Sequence, residues 1–245
     1  MTKNKRDDFF EILEEPEEKD YIISYIDLLG TKELIKNGND NEIFELIYTA
    51  YSIAYGVAPQ IDYFKYISIK IFSDNMLIAY PVNDIENINH IYSSYDVMVS
   101  FLKILIPIFI KNNLLLRGAI TIGKLRINNL VVWGKGLSEA VYLEENVAVY
   151  PRIVLSEKLL KVFDSFKISG VEYEGKFSCL KDFDDMIFFD FFEYRDVTDT
   201  ERLIKVAKTN INRKIEKESD TRILQKYCWF RNYLMQATDI LAEYK

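Results

Sequence analysis

Apolar residues recur along this chain in two periods, and the switches between them mark out its elements. Tyr21-Ile22-Ile23-Ser24-Tyr25-Ile26 predicts a buried strand that reaches Asp27 just before the chain turns at Gly30. Residues 67–72 alternate as a second strand, Ser73-Asp74-Asn75 is a tight turn, and residues 76–80 return as a third strand. Between the first strand and residue 67, residues 32–55 carry two short helical stretches split by Asn37-Gly38-Asn39-Asp40. From residue 89 to 112 the apolar positions Ile91, Tyr95, Met98, Val99, Leu102 and Leu105 fall at helical spacing, with Pro107 kinking or ending the helix. Residues 114–122 predict a crowded central strand, with 125–133 as its hairpin mate. Residues 138–145 then predict a helix with Ala140, Val141 and Leu143 inward. A strand at 150–155 follows, then a helix capped by Ser156 and an aromatic strand over 186–192. Two amphipathic helices, 200–217 and 221–245, close the chain, the second carrying Tyr227, Trp229, Phe230, Tyr233 and Leu234.

The order strand, helix pair, hairpin, helix, strand predicts an α+β fold of ferredoxin-like type. Such a fold is an antiparallel sheet with helices on one face and the other face left to bind something. The expected organisation is a charged N-terminal arm over residues 1–20, one domain over 21–195, and a helical extension over 196–245 packed on that domain. No linker-like stretch or internal repeat divides the chain.

Composition narrows the function classes. With 245 residues, 49% apolar and 28% charged, a sizeable core is available. The net charge of −7 argues against a general grip on a nucleic-acid polymer, which needs a basic surface. Cys179 and Cys228 have no neighbouring Cys or His at metal-ligand spacing, so zinc and thiol chemistry are not expected, and free cysteines suit the cytoplasm. The single histidine, His90, opens a helix and is read as structural. Neither a signal peptide nor a membrane span is expected: the most lipid-like run, residues 104–110, falls far short of the ~20 apolar residues that cross a bilayer.

Candidate chemistry gathers at two carboxylates. Asp27 and Asp74 stand at strand ends, where a pair of carboxylates can hold a divalent cation together with substrate phosphates. The backbone N–H groups of Leu28, Leu29, Gly30 and Thr31 can face phosphate oxygens. Taken singly, Asp27 can equally cap a helix and Asp74 can equally make a turn. Arg117 interrupts an apolar strand, and a charge buried there needs a partner.

These residues also carry a resemblance. Asp27-Leu28-Leu29-Gly30 after an apolar strand, Phe72-Ser73-Asp74 in a hairpin, Arg117-Gly118-Ala119-Ile120-Thr121-Ile122-Gly123, and Trp133-Gly134 before a helix resemble the successive blocks of class III nucleotide cyclases. The resemblance covers roughly residues 21–160. It is closest to the compact bacterial cyclases of Pycsar antiphage systems, which make cyclic pyrimidine nucleotides; Tyr150-Pro151-Arg152-Ile153 and Lys226-Tyr227-Cys228-Trp229-Phe230 point the same way. It implies a cytoplasmic lyase that converts a nucleoside triphosphate to a 3′,5′-cyclic nucleotide and pyrophosphate. Two divalent ions, Mn²⁺ or Mg²⁺, would be held by Asp27, Asp74 and the Leu28 carbonyl, and Arg117 would grip the polyphosphate. It further implies a homodimer whose clefts are completed by the partner chain.

Three positions depart from the family pattern. Ser138 stands where many cyclases carry a ribose-orienting Asn, and Tyr142 where they carry an Arg that stabilises transition-state charge; either other residues, with Arg152 as one candidate, replace them or activity is lost. Val131 replaces an acidic adenine reader, while Lys70 remains where purine users keep a base-reading Lys. UTP, then CTP, is therefore expected to be preferred to ATP. Two other readings stand beside the enzyme: a pseudocyclase that binds a nucleotide or partner protein without turnover, and a palm-type polymerase or dinucleotide cyclase. The last lacks a Gly-Gly-Asp/Glu-Glu-Phe turn and a basic template path in this sequence.

Overall fold

Strand β1 (Lys19–Leu29) lies at the centre of the sheet, paired antiparallel with β3 (Asn75–Pro81) on one side and β4 (Leu115–Ile127) on the other. The computed structural model describes residues 15–31, 38, 40–57, 62–169, 179–193 and 197–242. Most of the charged arm, the first of the two helical stretches expected after β1, and the last three residues of the chain lie outside them. Helix α1 (Asp40–Val57) and a 3₁₀ turn (Asp62–Tyr66) lead to β2 (Ser68–Phe72), which pairs with β3 across the two-residue turn Ser73-Asp74. Helix α2 (Ile88–Lys111) connects β3 to β4. The spatial order β2-β3-β1-β4, antiparallel throughout, is the ferredoxin-like arrangement that the element order predicts.

The sheet then extends beyond that unit. β5 (Val132–Trp133) pairs with the far end of β4 and leads into α3 (Lys135–Asn146). β6 (Ile153–Leu155) joins β4 in parallel, α4 (Glu157–Ser169) follows, and β7 (Cys179–Lys181) and β8 (Ile187–Phe189) complete an eight-stranded mixed sheet. Helices α5 (Val197–Lys217) and α6 (Thr221–Ala242) close the described chain.

The main core lies between one face of the sheet and α1 and α2. Ile22, Ile26, Ile78, Leu116, Ile120 and Ile122 meet Ile47, Met98, Leu102 and Leu105 there. Residues of α5 and α6, including Leu203, Ala207, Phe230 and Leu234, belong to the same apolar cluster. α2 is long and apolar enough to cross a membrane by length and composition, but 67% of its apolar window is buried in this core. Pro107 is accommodated inside α2 without ending it, and Asn87 and Asn112 supply the caps.

The opposite face is only partly open, because α3 crosses it. Tyr21, Ile23, Leu77, Ala79 and Leu125 pack there against Ala140. The crossing is close because two glycines meet: a Cβ on Gly123 would come within 2.8 Å of the Gly136 Cα, leaving no room for any side chain.

Several boundaries differ from the sequence expectation for identifiable reasons. β1 continues two residues past Asp27, because Asp27, Leu28 and Leu29 are in register with Arg117, Leu116 and Leu115. β4 runs on to Ile127 because Lys19 and Asp20 hold Leu125 and Lys124 in the ladder, so only Val132 and Trp133 return as its mate. The strand expected over 150–155 is confined to β6, and Ser156 accepts from the Leu159 N–H at 3.1 Å, the expected cap. The aromatic strand stops at Phe189, where Asp190 accepts from the Phe192 N–H (3.0 Å) and the Tyr233 hydroxyl (2.5 Å), turning the chain toward α6. α3 begins three residues earlier than expected; Ala140 is buried as expected and Leu143 packs against Ala119, Ala148 and Val154, while the fully buried face also takes in Gly136 and Glu144.

Candidate active site

Asp27 is carried by the last turn of the β1 pleat, on the face that meets α3, directly opposite Arg117 in the β1–β4 ladder. The Arg117 Nε donates to Asp27 Oδ2 at 3.0 Å. Its Nη1 donates to the Glu144 carbonyl at 3.3 Å, and its Nη2 lies 2.7 Å from Glu144 Oε1, close enough for an ion pair though not aligned as a hydrogen bond. The partner demanded by a charge inside a strand is thus a pair of carboxylates, one from β1 and one from α3.

Asp74 reaches the same place through the hairpin turn. The backbone N–H of Leu28 donates to the Asp74 carbonyl at 3.1 Å, tying the β2–β3 turn to the end of β1. The Thr31 hydroxyl, 1% exposed, lies 2.5 Å from Asp74 Oδ2 and 3.2 Å from the Leu28 carbonyl. Gly30 turns the chain here with φ +88°, in the left-handed region that a side chain disfavours.

Asp27, Asp74 and residues 28–31 line one pocket of about 190 Å³. Its remaining wall is formed by Leu115 of β4 and by α5 and α6, through Lys214, Ile223, Lys226 and Tyr227. Two larger hollows, about 510 and 360 Å³, lie along α5 and α6, and neither brings together carboxylates from two strand ends.

The donor set suits a hard cation. Two carboxylates and a backbone carbonyl are oxygen ligands of the kind Mg²⁺ or Mn²⁺ takes, with substrate phosphates and water making up the shell. No cluster of three or more His, Cys, Asp or Glu side chains fit to hold a metal occurs among the described residues, so the pocket is not a self-sufficient metal cage. Two carboxylates fit an ion shared with a phosphate ligand.

Glu144 is the functional neighbour that sequence reasoning missed. Its side chain is 3% exposed, and burial pushes its carboxyl up to about 7, with Arg117 pulling the other way and the negative charge of Asp27 adding to the rise. The sequence did hold a signal: positions 136, 140 and 144 fall on one helical face, with a carboxylate where an apolar residue would stand. Lys214 and Lys226 were also missed as site residues: Lys226 opens the 226–230 run that carries part of the resemblance, but the spacing of both helices reads as packing surface.

The other sequence candidates lie elsewhere. Lys70 is on edge strand β2, opposite Leu77 and therefore on the α3 face of the sheet, outside the residues that line the pocket. Ser138 is exposed on α3, its hydroxyl 3.5 Å from the Gly134 carbonyl, and Tyr142 one turn on is 60% exposed. Arg152 is not in the pocket. It is 1% exposed and locked by ion pairs to Asp182 and Asp184, with the Tyr150 ring 5.4 Å away and the Trp229 indole N–H also on Asp182. An arginine so enclosed fixes the β7–β8 turn against α6 and cannot take the place of the arginine absent at position 142.

No protein-family profile and no curated protein sequence matches the chain. Among solved structures it is similar to the adenylyl cyclase CyaB from P. aeruginosa (15% identity, 62% of this chain and 84% of that chain, TM-score 0.45). It is also similar to the monomeric guanylyl cyclase domain of the RhoGC fusion protein from the aquatic fungus Blastocladiella emersonii (12% identity, 71% and 96%, TM-score 0.49). The guanylyl cyclase Cya2 is a third (13% identity, 71% and 93%, TM-score 0.47).

Proposed function

We propose that the chain is a nucleoside triphosphate cyclase that converts its substrate to a 3′,5′-cyclic nucleotide and pyrophosphate. The observation that carries this is the meeting of Asp27 and Asp74, from two separate strand ends, in one pocket beside the turn at Gly30 and Thr31. In the reaction the ribose 3′-oxygen attacks the α-phosphorus in line, its bond to the β-phosphate bridging oxygen breaks, and the hydroxyl proton passes to water. Divalent ions, when bound, supply charge on the attacking and leaving oxygens.

The chain's own residues have separable tasks in this reading. Asp27, Asp74 and the Leu28 carbonyl hold the ions. Thr31 fixes the Asp74 carboxylate; the Leu28 amide, expected to face phosphate, is instead committed to the Asp74 carbonyl, and those of Leu29, Gly30 and Thr31 bind phosphate oxygens. Arg117 orients Asp27; the grip on the polyphosphate expected of it requires release from Asp27 and Glu144.

A homodimer and a pyrimidine substrate belong to the same proposal. Lys70, Ser138 and Tyr142 lie on the α3 side of the sheet, outside the carboxylate pocket of their own chain, and serve a substrate only if a second copy faces them. The Tyr142 ring, 60% exposed on α3, is an aromatic surface on that side that a protein contact would cover. Val131 in place of an acidic reader supports UTP or CTP over ATP. A role as a second-messenger synthase in antiphage defence follows from the Pycsar resemblance alone.

One observation favours a second reading, a nucleotide-binding pseudocyclase. With Tyr142 at the expected arginine position and Arg152 enclosed by Asp182 and Asp184, no arginine is free for the transition state by either route. Incubating the protein with each of the four ribonucleoside triphosphates and Mn²⁺, followed by mass analysis, separates the two. A cyclic monophosphate with stoichiometric pyrophosphate is expected; metal-dependent nucleotide binding without product would establish the pseudocyclase.

A further inference from the structure

The phosphate side of the pocket is not built by the sheet alone. Arg117, the cation beside Asp27, directs its guanidinium to Asp27 and Glu144. The cations that line the pocket come instead from the two C-terminal helices, Lys226 on α6 and Lys214 on α5. Lys226 is half-buried and makes no ion pair among the described residues, yet it lies within the electrostatic reach of Arg117, Asp27 and Glu144. Burial pulls its pKa below the usual lysine value, the mark of an ammonium held in a partly dry place.

Lys214 stands behind it. Its Nζ donates to the Asn113 carbonyl at 2.8 Å and lies 5.3 Å from the centre of the Tyr227 ring, and an ammonium has further N–H donors to offer. Lys214 and Tyr227 also form a wall of the neighbouring 360 Å³ hollow, which adds Arg213 and Lys217 and one acid, Glu218. In a chain of net charge −7, this gives a run of four cations leading outward from the two carboxylates. A triphosphate has the matching form: an end that the carboxylates would hold through a shared divalent cation, and a tail of successive anionic groups.

We propose that Lys226, with Lys214 behind it, receives the terminal phosphates of the substrate and the pyrophosphate that leaves, so that the C-terminal helix pair completes the phosphate-binding half of the site within one chain. The identity of the ligand rests on the cyclase reading; the cationic path does not. Lys226 takes the β- and γ-phosphates by charge-assisted N–H donation, and the outer hollow with Arg213 and Lys217 is the exit for pyrophosphate.

The test is titration of the full chain with pyrophosphate in the presence of Mn²⁺ by calorimetry, alongside the KM for the nucleoside triphosphate. The variants are Lys226→Met, Lys226→Arg and, as a control in the 510 Å³ hollow, Lys205→Met. Lys226→Met should weaken pyrophosphate binding and raise KM by about tenfold or more, the scale of one lost charge-assisted contact. Lys226→Arg should recover most of the loss, and Lys205→Met should match wild type. Binding of a nucleoside monophosphate should be equal in all four proteins, which a merely misfolded variant would not achieve. Equal pyrophosphate binding by wild type and Lys226→Met, or no binding by wild type, overturns the assignment whether or not the protein turns over. If wild type makes no cyclic nucleotide but binds pyrophosphate through Lys226, the cyclase reading falls and the phosphate site stands.

Discussion

Asp27 and Arg117 face each other across the β1–β4 ladder, and the Arg117 Nε donates to Asp27 Oδ2 at 3.0 Å. A cross-strand pair of opposite charge steadies a sheet modestly, but this one is shared with Glu144, whose side chain is buried. Removing the guanidinium leaves two carboxylates close together with no counter-charge. Arg117→Met should therefore destabilise the protein by about 2–4 kcal/mol. Adding Glu144→Gln should return part of that loss, since it removes one of the stranded charges. Urea unfolding of both single variants and the double variant measures the coupling; strictly additive effects would mean that the three groups do not act as a unit.

Asp27→Ala and Asp74→Ala should each abolish turnover, by at least about 100-fold, while leaving the fold intact. Neither side chain belongs to an apolar cluster, so circular dichroism should show both variants folded as wild type is. Thr31→Val is the subtler variant. It keeps both carboxylates and removes the hydroxyl on Asp74 Oδ2, and it should raise the Mn²⁺ concentration needed for half-maximal activity more than it lowers the maximal rate.

The site residues legible in the sequence were those fixed by local pattern. Asp27 and Asp74 stand out because a strand ends in a turn at each, and backbone bonding alone then brings the turns together through Leu28 and Asp74. Glu144 was half-legible: its place on the Gly136 and Ala140 face was readable, but the inward side was read as Ala140, Val141 and Leu143 and left Glu144 out. Lys214 and Lys226 were not legible, because nothing near them in the chain says that α5 and α6 dock at the end of β1. Arg152 misled for the same reason. Its partners, Asp182 and Asp184, belong to a turn about 30 residues away, and without them an arginine after a proline reads as available. The ferredoxin-like unit was visible in the element order, and β6 and β8 were expected with longer bounds, whereas the three residues of β7 were too short to show a period.

Glu144 also gives the protein a pH dependence. Its carboxyl is held at about 7 when folded, above the ordinary glutamate value, so between roughly pH 4.5 and 7 the folded state binds more protons than the unfolded one. Stability should then fall as pH rises through that window, by up to about 3 kcal/mol for a shift of this size, and level off above it. Glu144→Gln should flatten the profile, giving urea midpoints at pH 5 and pH 8 that differ less than those of wild type. The measurement belongs in chelator, because a cation at Asp27 would change the field on Glu144. A wild-type midpoint that rises from pH 5 to pH 8 would contradict the upward shift of the Glu144 carboxyl by burial.

Base preference is where Lys70 and Val131 bear on the proposed substrate. Lys70 lies on the α3 face of edge strand β2, and Val131 is in the β4–β5 turn, where the Asn128 side chain accepts from the Leu130 and Val131 amides. That turn presents an apolar side chain, 41% exposed, where an adenine reader would present a carboxylate. An ammonium is a donor only and suits the carbonyl oxygens of uracil and cytosine, whereas the adenine amino group would meet no acceptor from either residue. An unpaired polar group in a closed cleft costs ~1–3 kcal/mol, so UTP, with CTP next, should outcompete ATP by about tenfold or more. Lys70→Ala should narrow that ratio more than it slows pyrophosphate release. Because Lys70 lies outside its own chain's carboxylate pocket, its effect should appear in mixed dimers as well. A catalytically dead Asp27→Ala chain paired with a Lys70→Ala chain should retain one site with both features intact and keep the pyrimidine preference. ATP as the best substrate of the wild-type protein would overturn the pyrimidine assignment and leave the two-carboxylate site as it is.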